Sequence, residues 1–225
     1  MARREDRLRA LERELVDRHG VTVEVAVLDL TADGAPEELR RRADDAGRPV
    51  DVLVNNAGYG LYGRFVELDW ERERNMLELD MLVPVHLTKL FLPGMLERGF
   101  GHVLNVASIG AYQPSPLYAS YSAAKSFLLN FTEALSYELR GTGVHATALS
   151  PGVVATEFLQ VAGQAPTRYQ RRSRMDSPTV ARIGVDAMLK GRPSLVAGWR
   201  NAAAAFTVRL LPRRTAAALA YRAMR

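Results

Sequence analysis

Short apolar runs, each closed by a small polar turn and each followed by a longer stretch of helical period, recur along the whole chain. VTVEVAVLDL (21–30), DVLVNNAG (51–58), HVLNVAS (102–108), VHATALSPG (144–152) and residues 194–198 read as strands. Between them, PEELRRRADDAG (36–47) reads as a short helix, with Pro in its first turn and Gly at its end. Residues 67–98 and 119–140 read as long helices, the second stopped by Gly141, and 178–190 as another. Leu8, Leu11 and Leu15 among charges open the chain on an amphipathic helix that would end near Gly20. The segment 157–177 is polar and has no clear period. Several strands are apolar throughout, as expected where both faces of a sheet are covered. The pattern predicts an α/β fold, a doubly wound parallel sheet. Ligands bind such sheets beyond the carboxyl ends of the strands, which singles out Asp29, Asn55–Gly58, Ser108 and Pro151–Gly152.

Tyr121 and Lys125, in YSAAK, stand four apart on a helix and therefore share a face. An ammonium beside a phenol favours the phenolate and lowers its pKa, which would make Tyr121 a usable acid or base near neutrality. Ser108, at the end of a strand, is placed to hydrogen-bond the same substrate oxygen. Each residue has an ordinary alternative. Asn55 and Asn56 can end a strand in a turn, Ser108 can cap a helix, and Tyr121 can be a packing aromatic. The order of the parts carries the argument: strand–NNAG, strand–Ser, helix Tyr-x-x-x-Lys, strand–PG.

In that order, with Pro151-Gly152-x-x-x-Thr156, the chain resembles the short-chain dehydrogenase/reductase family over nearly its whole length. The resemblance implies a Rossmann-like fold and hydride transfer between a nicotinamide cofactor and a ketone or secondary alcohol. It implies Tyr121 as proton donor or acceptor, Lys125 as the residue that lowers its pKa and binds the nicotinamide ribose, and Ser108 as the residue that positions the substrate oxygen. Asn55, Asn56, Ala57 and Gly58 would line the cofactor, Asp29 would meet its adenine, and Pro151, Gly152 and Thr156 its nicotinamide end. The finer wording of residues 92–108 and 121–152 resembles the 3-oxoacyl or hydroxysteroid-type reductases. The family's long helices commonly build homodimer or homotetramer interfaces, here 67–98 and 119–140.

Two departures stand out. The family usually places an Asn behind the catalytic Lys; the aligned residue is Asp80, which when ionised only accepts hydrogen bonds. A buried carboxylate near Lys125 would favour its charged form and so alter Tyr121. Second, no G-x-x-x-G-x-G precedes Asn55, and Ala2-Arg3-Arg4 matches the end of the family's second strand. The sheet is therefore expected to lack its first strand and helix, leaving the strand at 21–28 without a neighbour and the one at 51–54 at an edge. Either Met1 is a mis-assigned start, the explanation favoured by the intact catalytic set, or this is a truncated form that holds a cofactor poorly and acts only as an oligomerising module. With the upstream part in place, Arg3 would sit beside the adenosine 2′-position, where a guanidinium suits a phosphate, so NADP is expected over NAD. The expected domains are an NAD(P)-binding domain at 1–200 with an incomplete start and a basic helical tail at 201–225.

Composition removes other classes. Zero Cys excludes a disulfide scaffold, a thiolate zinc site and a cysteine nucleophile. His19, His86, His102 and His145 share no metal-ligand spacing, so no metal is expected. The first twenty residues have no apolar core of a signal peptide, no uninterrupted apolar run approaches the roughly 18 residues of a spanning helix, and a cytoplasmic protein is expected. The net charge of +5 is uneven: Asp186 is the last acid, and residues 1–186 carry 22 basic against 25 acidic side chains. The body has no basic patch with aromatic support, so nucleic acid is not an expected partner. The tail alternates apolar and basic residues, which suits either contact with an anionic membrane surface or, as favoured here, a docked terminal helix with a solvated Arg face.

Overall fold

The computed structural model describes residues 4–225, so the expectation placed on Arg3 lies outside the described residues. The chain divides into two compact units, residues 1–49 and 50–225. In the first, α1 (Glu5–His19) ends where Gly20 turns left-handed (φ 63°) and its N–H reaches the Val16 carbonyl. None of its residues is buried, so the Leu8/Leu11/Leu15 stripe does not become a core face. The second helix, α2 (Ala35–Asp45), has Pro36 in its first turn and is laced by exposed pairs from Glu38 to Arg41 and Arg42. The expected strand at 21–30 is not formed; only Val27 makes a bridge. A Val-rich run becomes a strand when a neighbour takes up its N–H and C=O groups, and no ladder over these residues exists among the described ones.

The second unit is the predicted parallel sheet. β1 (Val52–Asn55), β2 (Gly101–Val106), β3 (Val144–Ser150) and β4 (Ser194–Val196) lie in the order β1-β2-β3-β4, every neighbouring pair parallel. Helices cross between them: α3 (Trp70–Leu77), a π-helical turn at Glu78–Leu82 and α4 (Val83–Arg98) join β1 to β2, and α5 (Ala119–Glu138) joins β2 to β3. Two short helices, α6 (Phe158–Ala162) and α7 (Arg168–Arg172), occupy the segment that had no period. After them come α8 (Ser177–Leu189), α9 (Trp199–Val208) and α10 (Arg213–Met224).

Alternate residues of the central strands feed different layers. Leu104 and Leu149 pack with Val180, Met188 and Ala197 on the α8 side. Ala148 packs with Ala107 and Leu129 on the α5 side. β1 departs from the two-sided expectation: Leu53 and Asn55 are buried, whereas Val52 and Val54 face outward. The continuous helical stretch Trp70–Arg98 is long and apolar enough to cross a bilayer by length and composition alone. In this unit it instead buries Leu87, Phe91 and Met95.

A buried amide ladder joins three elements. Asn55 and Asn105 are register partners on β1 and β2. Asn55 Nδ2 donates to Asn105 Oδ1 at 2.7 Å, and Asn105 Nδ2 donates to Thr132 Oγ1 of α5 at 2.8 Å. The ladder sets the height of β1 against β2 and α5, and so the starting point of the loop that follows Asn55.

Candidate active site

The carboxyl ends of β1, β2 and β3 converge with the first turns of α5. Ser108 follows β2 in extended conformation, and its Oγ accepts the Gly110 N–H at 3.1 Å, so the capping reading of this serine holds. The Ile109 N–H donates to the Pro151 carbonyl at 2.8 Å, which carries the β2–β3 pairing past the sheet edge and brings the Ser108 turn beside Pro151–Gly152. Gly152 is packed closely: a Cβ there would stand 2.5 Å from Asn201 Nδ2. Thr156, exposed, uses its Oγ1 to accept the Phe158 N–H at 3.2 Å at the start of α6.

As the spacing predicts, α5 holds both Tyr121 and Lys125. Lys125 is buried and directed at the sheet: its Nζ donates to the Val106 carbonyl at 3.1 Å and lies 3.4 Å from Asp80 Oδ2. Asp80 is fully buried in the π-helical turn, and among the described residues its oxygens meet only the Lys125 ammonium and, with poor alignment, the Tyr59 backbone N–H. Burial raises its carboxyl from 3.8 to about 6, against the pull of the Lys125 charge and the Tyr59 backbone N–H.

The expected effect on Tyr121 is not what the packing produces. The ammonium stands 5.8 Å from the Tyr121 ring centroid and is engaged with Asp80 and the Val106 carbonyl. Burial pushes the phenol well above the usual tyrosine range, the Asp80 charge pushes the same way, and only Ser108 pulls it down. Spacing along a helix identifies which side chains share a face; it does not say which partner a lysine will choose.

The wall beside Tyr121 is aromatic. Tyr118 and Phe158 stand with ring centroids 5.7 and 5.3 Å from it, and Tyr62 lies 5.4 Å from Tyr118. Gly60 makes room for this wall, since a Cβ there would meet Phe158 Cζ at 2.7 Å. Leu117, the residue before Tyr118, is held at φ 70°, a backbone conformation that branched side chains rarely take.

Among the expected cofactor residues, Asn55 is buried in the amide ladder, whereas Asn56, Ala57 and Gly58 form an exposed loop. A Cβ on Gly58 would collide with Asp80 and come within 3.2 Å of Lys125 Nζ, so this backbone lies directly against the ion pair. Asp29 belongs to the first unit, where its Oδ1 accepts both the N–H (3.1 Å) and the hydroxyl (2.8 Å) of Thr31. No group of three or more His, Cys, Asp or Glu side chains suited to a metal exists among the described residues. Sequence reasoning missed Asn105, Tyr118, Gln164 and Gln170. Only Tyr118, the residue that caps α5 three positions before Tyr121, had a usable signal in that spacing.

A family model described as short chain dehydrogenase matches residues 1–166. A short chain dehydrogenase of Pseudocercospora fijiensis is 34% identical over 186 residues, which span 79% of this chain and 60% of the fungal protein. An uncharacterised oxidoreductase of Myxococcus xanthus is 32% identical over 211 residues, covering 93% of this chain and 81% of its own. Among solved structures, an alcohol dehydrogenase of Thermococcus sibiricus complexed with 5-hydroxy-NADP superposes with a TM-score of 0.74 at 27% identity, covering 87% of this chain and 82% of the other.

Proposed function

Because the chain belongs to the short chain dehydrogenase family, we propose that it transfers hydride between NADP(H) and a ketone or secondary alcohol, with Tyr121 as acid/base, Ser108 positioning the substrate oxygen, and Lys125 paired with Asp80 behind them. The observation that carries this reading is the convergence of Ser108, Tyr121 and the Lys125–Asp80 pair where β1, β2 and β3 end.

The residues fit a nicotinamide group. The exposed 56–58 backbone lies against Lys125, and among the described residues that buried ammonium donates to the Val106 carbonyl and pairs with Asp80, which leaves one of its three donors for a ligand. Asn56, Ala57, Gly58, Pro151, Gly152 and Thr156 would hold the nicotinamide end, and Lys125 the ribose hydroxyls. When bound, the nicotinamide supplies or takes the hydride. This chain's residues handle the proton. With its pKa raised, Tyr121 stays protonated at neutral pH and donates to the oxygen of a ketone as negative charge develops there. Ser108 hydrogen-bonds the same oxygen and stabilises the phenolate that remains. In the reverse direction Tyr121 must first lose its proton, so alcohol oxidation is favoured at higher pH.

NADP rather than NAD rests on the place expected for Arg3 and on the 5-hydroxy-NADP bound to the Thermococcus relative; Asp29 at the adenine rests on the resemblance. The aromatic neighbours Tyr118 and Phe158 suit an apolar ketone of 3-oxoacyl or steroid-like kind. The arginines at 168, 171, 172 and 174 are exposed and line no buried part of the site. Exposed apolar residues on the long helices, Leu82, Phe127 and Tyr137, support a homodimer or homotetramer, and the reading places the enzyme in the cytoplasm. NADPH fluorescence titration followed by ketone turnover tests the function. Saturable binding with turnover, and a fall of about a hundredfold or more in kcat for Tyr121→Phe with binding retained, is the expected result. An absence of NADPH binding would return the chain to the oligomerising module.

A further inference from the structure

The segment 158–172 turns glutamines, not arginines, inward: Gln164 and Gln170 are buried. Gln164 Oε1 accepts from Tyr118 Oη and from Gln170 Nε2, each at 2.8 Å. Its own Nε2 donates to the Met224 carbonyl at 3.0 Å, in the last turn of α10. Tyr62 Oη donates to that same carbonyl at 3.0 Å, and Thr167 Oγ1 donates to the neighbouring Ala223 carbonyl at 3.1 Å. Gln170 is fixed by a reciprocal cap, its Oε1 accepting the Thr167 N–H at 2.9 Å, which leaves its amide Nε2 to donate to Gln164 and, at 3.6 Å, to Met224 Sδ.

The last carbonyls of a helix have no partner within the helix and usually turn to water. Here two of them are taken by buried or half-buried side chains from the 158–172 segment and from the loop after β1. The other end of the chain of bonds is Tyr118, whose ring forms the wall beside Tyr121 and stacks on Phe158 at 6.3 Å. Tyr118 is buried, so its hydroxyl has no recourse to solvent if Gln164 is lost.

We infer that the last turn of α10 is a latch on the candidate active site, in which Gln164 ties the Met224 carbonyl to Tyr118 and so holds the Tyr118–Phe158 wall against Tyr121. Gln164 is a positioning residue and touches no reacting atom. The inference rests on the reading of Tyr121 as the acid/base. It also gives the tail a role as a docked helix whose end is structural.

Two variants of the full chain test it: Gln164→Glu, which keeps the acceptor for Tyr118 and Gln170 but cannot donate to Met224 when ionised, and a chain ending at Arg222. Hydrogen exchange read by mass spectrometry should show protection across 158–172 falling about tenfold in Gln164→Glu, the weight of one buried hydrogen bond, and further in the shortened chain, which also loses the carbonyls that Tyr62 and Thr167 use, with β2, β3 and the body of α5 unchanged. For a ketone turned over with NADPH, KM should rise about tenfold while kcat stays within about twofold, because positioning is lost and the proton donor is not. Unchanged protection in both variants would overturn the latch. So would loss of protection throughout the sheet, which would make Gln164 an ordinary core residue. A wild-type chain that turns over no ketone would sink the reading of Tyr121, and the exchange result would still decide the latch.

Discussion

A buried carboxylate, Asp80, stands beside a buried ammonium, Lys125, behind the proposed acid/base Tyr121. Asp80 raises the Tyr121 pKa through its charge and occupies the lysine that would otherwise lower it. Asp80→Asn removes the charge at nearly constant shape. The base limb of the alcohol-oxidation pH profile should move to lower pH, with maximal turnover preserved; a superimposable profile would refute the coupling. A second residue-scale outcome concerns stability. Asn105→Leu removes the middle of the amide ladder and leaves Asn55 Nδ2 only its long 3.5 Å contact with Thr88 Oγ1. The expected cost is about 1–3 kcal/mol in denaturant unfolding, since one buried donor loses its short acceptor and the leucine does not match the amide's shape. Both effects depend on burial. Asn55 could be read from the sequence as one letter of a cofactor loop, but its pairing with Asn105, fifty residues away, could not.

At the scale of elements, the π-helical turn between α3 and α4 has the most consequence. An extra residue in a turn rotates everything that follows, and here it accompanies an inward-facing Asp80 at Lys125. The periodicity of 67–98 reads as helix throughout, because one inserted residue hardly changes a pattern averaged over about nine turns. The junction of the 55–60 loop with α6 makes a separate prediction. Gly60→Ala would place a methyl 2.7 Å from Phe158 Cζ, and Phe158, only half-buried, can yield. KM for a ketone should change several-fold while the melting temperature falls by only a few degrees, as overpacking at a yielding site costs about 1 kcal/mol. A large loss of stability with unchanged KM would show that Gly60 serves the fold and not the wall.

Across the whole molecule, the two ends of the sheet respond differently to acid. At the amino ends of β2 and β3, His102 and His145 stack at 5.5 Å, and burial followed by the His145 charge lowers the His102 pKa below 6.5. Between that lowered value and 6.5 the unfolded chain holds more protons than the folded one, so this residue makes stability fall as pH falls. Asp80, raised to about 6, acts in the opposite sense between 3.8 and 6, where the folded chain holds more protons. Chemical unfolding of wild type and His102→Phe from pH 7.5 to 5.5 separates them: wild type should lose stability relative to the variant as pH falls, and parallel curves would exclude a role for His102. The alternation of apolar runs and helical periods determined the α/β class, the parallel sheet, and the helix that carries Tyr121 and Lys125, because these follow from local pattern and chain connectivity. The Val-rich run at 21–30 carried the same local signal and formed no strand, because a strand exists only through its neighbours. The place of Asp80 behind Lys125 was legible through the resemblance, but tertiary structure alone decided that burial pushes the Tyr121 phenol up and that the 158–172 segment meets the last turn of α10 through glutamines. Each is a choice of partner made by burial among residues distant in the chain, and no local pattern encodes it.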